Sequence, residues 1–233
     1  FLAALSGFHP LLVMPFGSDV LILPQKYRII KLINKFVFSR ADWVTCDAEF
    51  VKNHIINDYK FDSNKITVFP WGIELDLFHP KNIYHGIREK LKWENNIILI
   101  MNRHFESVYD HETLIKAFYI SKDKNPKLRL LLVGDGALKE KTKNLILKYG
   151  LEKYVYMSGR VSREKMVELL NESDIYISTS ISDGTSISLL EAMACNKPVI
   201  VSDIPCNREW IINNDNGFLA NVGDERMFSD SII

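Results

Sequence analysis

The chain has 233 residues, 47% hydrophobic and 25% charged, proportions that support one substantial core or two modest ones and exclude a disordered or fibrous polypeptide. Lys+Arg and Asp+Glu both number 29, so no net field draws the protein to nucleic acid, and an anionic ligand must be held by a local arrangement. Cys46, Cys195 and Cys206 are odd in number, widely spaced and without a CxxC pair, which reads as three reduced thiols in a cytoplasmic protein rather than a disulfide framework or zinc site.

The chain opens on Phe1 without a basic leader, and its apolar stretches at 11–13 and 20–23 are interrupted by Pro15, Gly17 and Asp19. They fall short of the ~20 apolar residues of a membrane span. The pattern that follows predicts a strand at 11–14, a helix at 26–38, a strand over Trp43–Cys46, a helix at 48–59 and a strand at 66–69. The helix around Lys26, Lys31 and Lys35 is basic and strongly apolar, which fits either packing on its own sheet or lying on a membrane surface. Pro70, Gly72, Pro80 and Gly86 then mark a turn-rich interdomain connection over 70–95.

From Ile97 the alternation is regular. Strands are expected at Ile97–Met101, Leu128–Val133, 155–157, Ile175–Ser178 and 198–201, and helices at 112–122, 138–149, 163–171 and 188–195. Continuous apolar strands alternating with helices predict an α/β fold with doubly wound parallel sheets covered on both faces. The expected domains are 1–69 and 96–233, joined by 70–95. The chain closes on Ile232-Ile233 before any stop signal, so both ends read as cut.

Ligands of open parallel sheets sit beyond the carboxyl ends of the strands, so the loops there hold the candidate residues. Arg103 follows the first strand of the second domain and offers a planar donor fork for a diphosphate, or a surface ion pair. Gly134, Asp135 and Gly136 form either a close approach to a ligand or a plain tight turn. Gly159, Arg160 and Val161 follow the next strand. The richest loop is Asp183-Gly184-Thr185-Ser186-Ile187-Ser188, where a helix start supplies unpaired N–H groups and the positive end of a dipole for a phosphate. Asp183 and Glu191 are placed to flank such a ligand, with Glu191 in the first turn of the helix. The alternative is a capping box in which Glu191 reaches back to the Ser188 N–H, with Asp183 an ordinary turn residue. Six scattered histidines show no HExxH pattern, and no metal is expected.

Taken together, the acidic pair ahead of Ala192-Met193-Ala194, the loops at Arg103, Gly134 and Gly159, and the late turn Asn216-Gly217-Phe218-Leu219 resemble glycosyltransferase family 4. The resemblance implies a GT-B fold, two Rossmann-like domains facing a cleft, with the acceptor-side N-terminal one incomplete and the C-terminal one lacking its final helices. It implies a retaining, metal-independent hexosyltransferase moving a sugar from a nucleotide-sugar donor to a glycan, lipid-linked or small-molecule acceptor, with no cofactor beyond that co-substrate. Peripheral contact with the inner membrane face accompanies lipid-linked acceptors. A non-catalytic nucleotide-sugar-binding module, or a GT-B epimerase or phosphorylase, stays open.

Carried over by position, Glu191 binds the ribose, Asp183 contacts the donor sugar, and the amides of residues 184–188 hold sugar and phosphates. Arg103 and Asp183 are the catalytic candidates, Arg103 stabilising the departing diphosphate. The loop at Gly159 holds the base, Arg160 covering its face. Gly17 looks like the first domain's cleft-facing glycine, with Phe16 where many members have His, and Val108-Tyr109-Asp110 occupies the region of the family's lysine.

Overall fold

The computed structural model describes residues 1–82 and 86–233. His85 and part of the expected connection therefore lie outside the described residues. Two compact units emerge, one of Phe1–Gly72, Ser182–Ser186 and Pro205–Trp210, the other of Ile73–Ile181, Ile187–Ile204 and Ile211–Ile233.

The first unit opens with α1 (Leu2–Ser6), β1 (Leu12–Val13) and two single turns, α2 (Ser18–Leu21) and α3 (Leu23–Lys26). It continues with α4 (Arg28–Arg40), β2 (Trp43–Cys46), α5 (Glu49–Tyr59) and β3 (Ile66–Val68). The predicted helix 26–38 begins two residues late because Tyr27 is extended and Lys26 closes the preceding turn, whose start is set by Pro24. The strands form a parallel sheet in the order β1-β2-β3, and Val44, Cys46, Val51, Ile55 and Phe38 fill the core over it. Ala48 gives α5 no side-chain cap; instead the Glu209 carboxylate accepts from the N–H groups of Glu49 (3.1 Å) and Phe50 (2.8 Å).

The second unit runs α6 (Ile87–Leu91), β4 (Ile97–Met101), α7 (His111–Lys124), β5 (Leu128–Val133), α8 (Lys139–Lys148), β6 (Val155–Gly159), α9 (Arg163–Glu172), β7 (Ile175–Ser178), α10 (Ile187–Ala194), β8 (Val199–Ser202) and β9 (Phe218–Ala220), and ends with the helix Glu225–Ile232. The described part of residues 73–95 is more than a bare connection. It buries Phe78, Ile87 and Trp93, and the buried Glu172 carboxylate accepts from Ile87 N at 2.6 Å at the start of α6.

The six strands are parallel in the order β6-β5-β4-β7-β8-β9. The apolar runs of β4, β5, β7 and β8 lie almost wholly buried, as strands covered on both faces must. From β4 the chain winds to one side through β5 and β6, then returns to place β7 beside β4, with Leu99 opposite Ile175 and Ile100 opposite Tyr176. This reversal is the topological switch point, where such sheets open a crevice at their carboxyl edge. The two loops leaving it are tied together: Ile181 N donates to the Val108 carbonyl (2.7 Å), and Thr179 Oγ1 to that of Asp110 (2.8 Å).

Candidate functional site

Arg103 stands two residues beyond β4 and is buried at 9% exposure. A buried guanidinium needs oriented acceptors. Its Nη1 donates to Ser188 Oγ at 2.7 Å, and the Tyr176 hydroxyl lies 2.9 Å from the same oxygen. Beneath the guanidinium is the Tyr109 ring, 4.1 Å from its centroid, a cation–π contact. The region where the family's lysine was expected thus supplies an aromatic platform that helps fix Arg103.

Gly134 follows β5 with φ +144°, and a Cβ there would stand 2.5 Å from the Arg103 carbonyl oxygen. A glycine is required for the two loops to meet this closely. Together they border a cavity of about 390 Å³ lined by Asn102, Arg103, His104, Gly134, Arg160 and Val161, among others. Neighbouring Asp135 and Gly136 are not among its lining residues. The Gly136 N–H bonds Asp135 Oδ1 (2.9 Å), and that N–H first, then Lys139, holds the Asp135 carboxyl below its usual range. Gly159 ends β6 with φ +74°, and its carbonyl accepts from Gly134 N.

The helix after β7 begins at Ile187. Ser188 is its second residue and its hydroxyl is committed to Arg103 and Tyr176, so the expected capping box does not form as drawn. Glu191 is the fifth residue, beyond the first turn, not within it. Among the described residues no group hydrogen-bonds its carboxylate, and burial pushes its pKa up to about 7 against the opposing charges of Arg163 and Arg103. A half-buried carboxyl group has the acceptor oxygens that hydroxyl groups can donate to.

The first unit holds the remaining predicted residues. Gly17 has φ +101°, and a Cβ on it would lie 3.3 Å from the Gly184 nitrogen. Gly184 N bonds Asp183 Oδ1 at 3.1 Å, while Thr185 donates its N–H to Asp47 Oδ2 at 2.8 Å and its hydroxyl to the Asp47 carbonyl. The amides of residues 184 and 185 are therefore both engaged within the protein. Ser186 is buried at the end of this loop, and α10 starts directly after it at Ile187 and Ser188.

Sequence reasoning did not single out Asp47, Asn102 or Tyr176. Asn102 was within reach of the strand-end rule; Asp47 and Tyr176 matter through partners 138 and 12 residues away and carry no local signal. Among the described residues no three His, Cys, Asp or Glu side chains gather as a metal site, and no helix is long and apolar enough to cross a membrane.

The family model for group 1 glycosyl transferases matches residues 85–233. The chain belongs to this family. An uncharacterized glycosyltransferase of Methanocaldococcus jannaschii is 34% identical over 191 residues, covering 81% of this chain and 48% of the relative. The UDP-Gal:α-D-GlcNAc-diphosphoundecaprenol α-1,3-galactosyltransferase of Escherichia coli is 27% identical over 219 residues, 89% of this chain and 56% of that protein. The chain thus spans about half the length of these relatives. Among solved structures, Anabaena HepE in complex with UDP and glucose superposes with a TM-score of 0.87 at 20% identity, over 98% of this chain and 63% of that one. That likeness makes the fold of this group 1 member α/β of the GT-B type.

Proposed function

We propose that this group 1 glycosyl transferase moves a hexose from a uridine-diphosphate donor to an acceptor hydroxyl with retention at the anomeric carbon. The observation that carries the reading is Arg103, buried, oriented by Ser188 and Tyr109, and bordering the cavity of about 390 Å³ that also meets Arg160 and Val161. The base and ribose occupy that cavity, Arg160 covers the base, and Glu191 takes the ribose hydroxyls. The diphosphate lies against Arg103 and the start of α10. As the glycosidic bond stretches, negative charge gathers on the leaving diphosphate, where a fixed guanidinium and helix N–H groups are worth about 2–4 kcal/mol each. Asp183 contacts the sugar. A uridine donor is supported by the names of the Escherichia coli relative and of HepE, whose complexes hold UDP with glucose and UDP-glucose.

The same Escherichia coli relative is named for a lipid-diphosphate acceptor, and α4 here exposes Ile29 and Leu32 beside Lys31. Both support a lipid-linked acceptor met at the membrane face. The buried cysteines Cys46, Cys195 and Cys206, none of them in a disulfide, support a reducing, cytoplasmic setting. A non-catalytic donor-binding module is favoured by one observation, Tyr109 in the region of the family's lysine.

Calorimetry with UDP-hexoses tests the assignment. Glu191→Ala is expected to weaken binding tenfold or more, about the 1.5–3 kcal/mol of hydrogen bonds to a charged group. Unchanged affinity for every UDP-hexose removes Glu191 from the ribose. Slow donor hydrolysis by the full-length protein, lost in Arg103→Ala, separates the transferase from the binding module.

A further inference from the structure

Asp47 immediately follows β2 and is 4% exposed, although a carboxylate at a strand end is ordinarily solvated. It takes both polar groups of Thr185: the N–H on Oδ2 at 2.8 Å and the hydroxyl on its own carbonyl. Gly184 sits directly on it, since a Cβ there would stand 2.5 Å from Asp47 Oδ2. Gly17 closes the loop from another side, at 3.3 Å from the Gly184 nitrogen for a Cβ. Asp47 Oδ1 has no hydrogen-bond partner among the described residues.

A buried carboxylate with an unpaired oxygen is a poor source of stability. Its geometric effect is definite. Two bonds to one residue fix the peptide plane between Gly184 and Thr185, and so the backbone that carries Asp183 on one side and Ser186 on the other. Ordering a free backbone costs conformational entropy, and a loop already ordered spares the ligand that cost on binding.

From this juxtaposition we infer that Asp47 is a positioning residue that holds loop 183–186 ready for the sugar end of the donor. The inference rests on the transferase reading, in which Asp183 meets the donor sugar. It needs no charge on residue 47, only a hydrogen-bond acceptor: an asparagine side chain there keeps an oxygen for the Thr185 N–H and does away with the buried charge.

Two measurements on the full-length protein test it. Amide hydrogen exchange without ligand is expected to show Thr185 N–H protected in the wild type and in Asp47→Asn, with protection at least tenfold weaker in Asp47→Ala. Calorimetry with UDP-glucose, UDP-galactose and UDP-N-acetylglucosamine, set against UMP, reads the consequence. Asp47→Ala is expected to lose about tenfold in affinity for whichever UDP-sugar binds and nothing for UMP, which lacks the sugar, as loss of preorganisation at one end of the ligand requires. Asp47→Asn should bind within threefold of wild type. Thr185→Val, which deletes the hydroxyl alone, gives a second route should Asp47→Ala fail to fold, with a smaller loss in the same direction.

A merely structural role would lower Tm while leaving the ratio of UDP-sugar to UMP affinity unmoved, and that result overturns the inference. An unprotected Thr185 amide in the wild type overturns it too. If the wild type binds UMP but no UDP-sugar, the transferase reading fails and the donor role of Asp47 with it, while the exchange data still decide whether the clamp exists.

Discussion

Arg103 Nη1 lies 2.7 Å from Ser188 Oγ, across 85 residues of sequence, so the serine at the start of α10 serves the arginine and not the helix cap. One hydroxyl thereby couples the loop after β4 to the N-terminal end of α10. Tyr176, wholly buried in β7, holds the far side of that hydroxyl at 2.9 Å.

Removing the shared oxygen takes one acceptor away from the guanidinium. Ser188→Ala is expected to lower kcat/KM for the donor about tenfold, the value of one hydrogen bond to a charged group. Tyr176→Phe should cost less, because Ser188 Oγ remains to accept from Arg103. Steady-state rates of donor hydrolysis or transfer check both, and wild-type rates in the two variants would show that Arg103 is held by other means.

Glu191 makes stability depend on pH in a particular direction. Its pKa of about 7 in the folded protein exceeds the ~4.3 of an unfolded glutamate, so the folded state binds the proton more tightly. That contribution is full below about pH 4 and disappears as pH rises through 7. Glu191→Gln should therefore gain on the wild type by about 1 kcal/mol at pH 8, after discounting for solvent screening, and by little at pH 4.5. Thermal melts across that range measure it; parallel curves would refute the raised pKa.

His111 works in the opposite sense. It is 5% exposed, its ring lies on Phe105 with centroids 4.4 Å apart, and its nitrogens make no hydrogen bond of normal geometry among the described residues. Burial first, then the Arg103 charge, push its pKa down to about 4. A depressed histidine adds stability above its unfolded pKa of ~6.5 that is lost as pH falls through 4. His111→Phe keeps the ring stack and removes the proton, so acid unfolding should begin at lower pH, with a benefit of up to ~3 kcal/mol at pH 3.5. Denaturant midpoints at pH 7 and pH 4 decide this, and an unchanged acid limb counts against it.

Gly134→Ala should hurt both fold and site. The substitution meets a φ of +144° and the Arg103 carbonyl 2.5 Å away, so about 2–3 kcal/mol of stability is expected to go. Affinity for UDP should fall with it, because the same contact shapes the cavity wall. Gly150→Ala, with φ +63° but no atom within 4 Å of a Cβ, is the matched control, expected to lose stability without losing UDP.

The alternation of strands and helices in the second unit was legible because it is a local property: an apolar run long enough to be buried on both faces, or a period near 3.6, is written in consecutive residues. For the same reason Arg103 and Gly134 stood out, since each sits where a strand ends. Local pattern also misled. Ser188 and Glu191 have the spacing of a capping box, but the helix starts one residue earlier and the serine points to Arg103. Residues 73–95 look like a connection because Phe78, Ile87 and Trp93 bury without periodicity.

What the sequence determined by itself, then, was the fold class and the loops at the strand ends where Arg103 and Gly134 stand. What tertiary structure alone decided was who holds those residues. Asp47 meets Thr185 across 138 positions, and Glu209 caps α5 from 160 positions away. A hydrogen bond forms between atoms that the chain path brings within about 3 Å, and that path is set by how two cores close around their sheets, which no window of neighbouring residues contains.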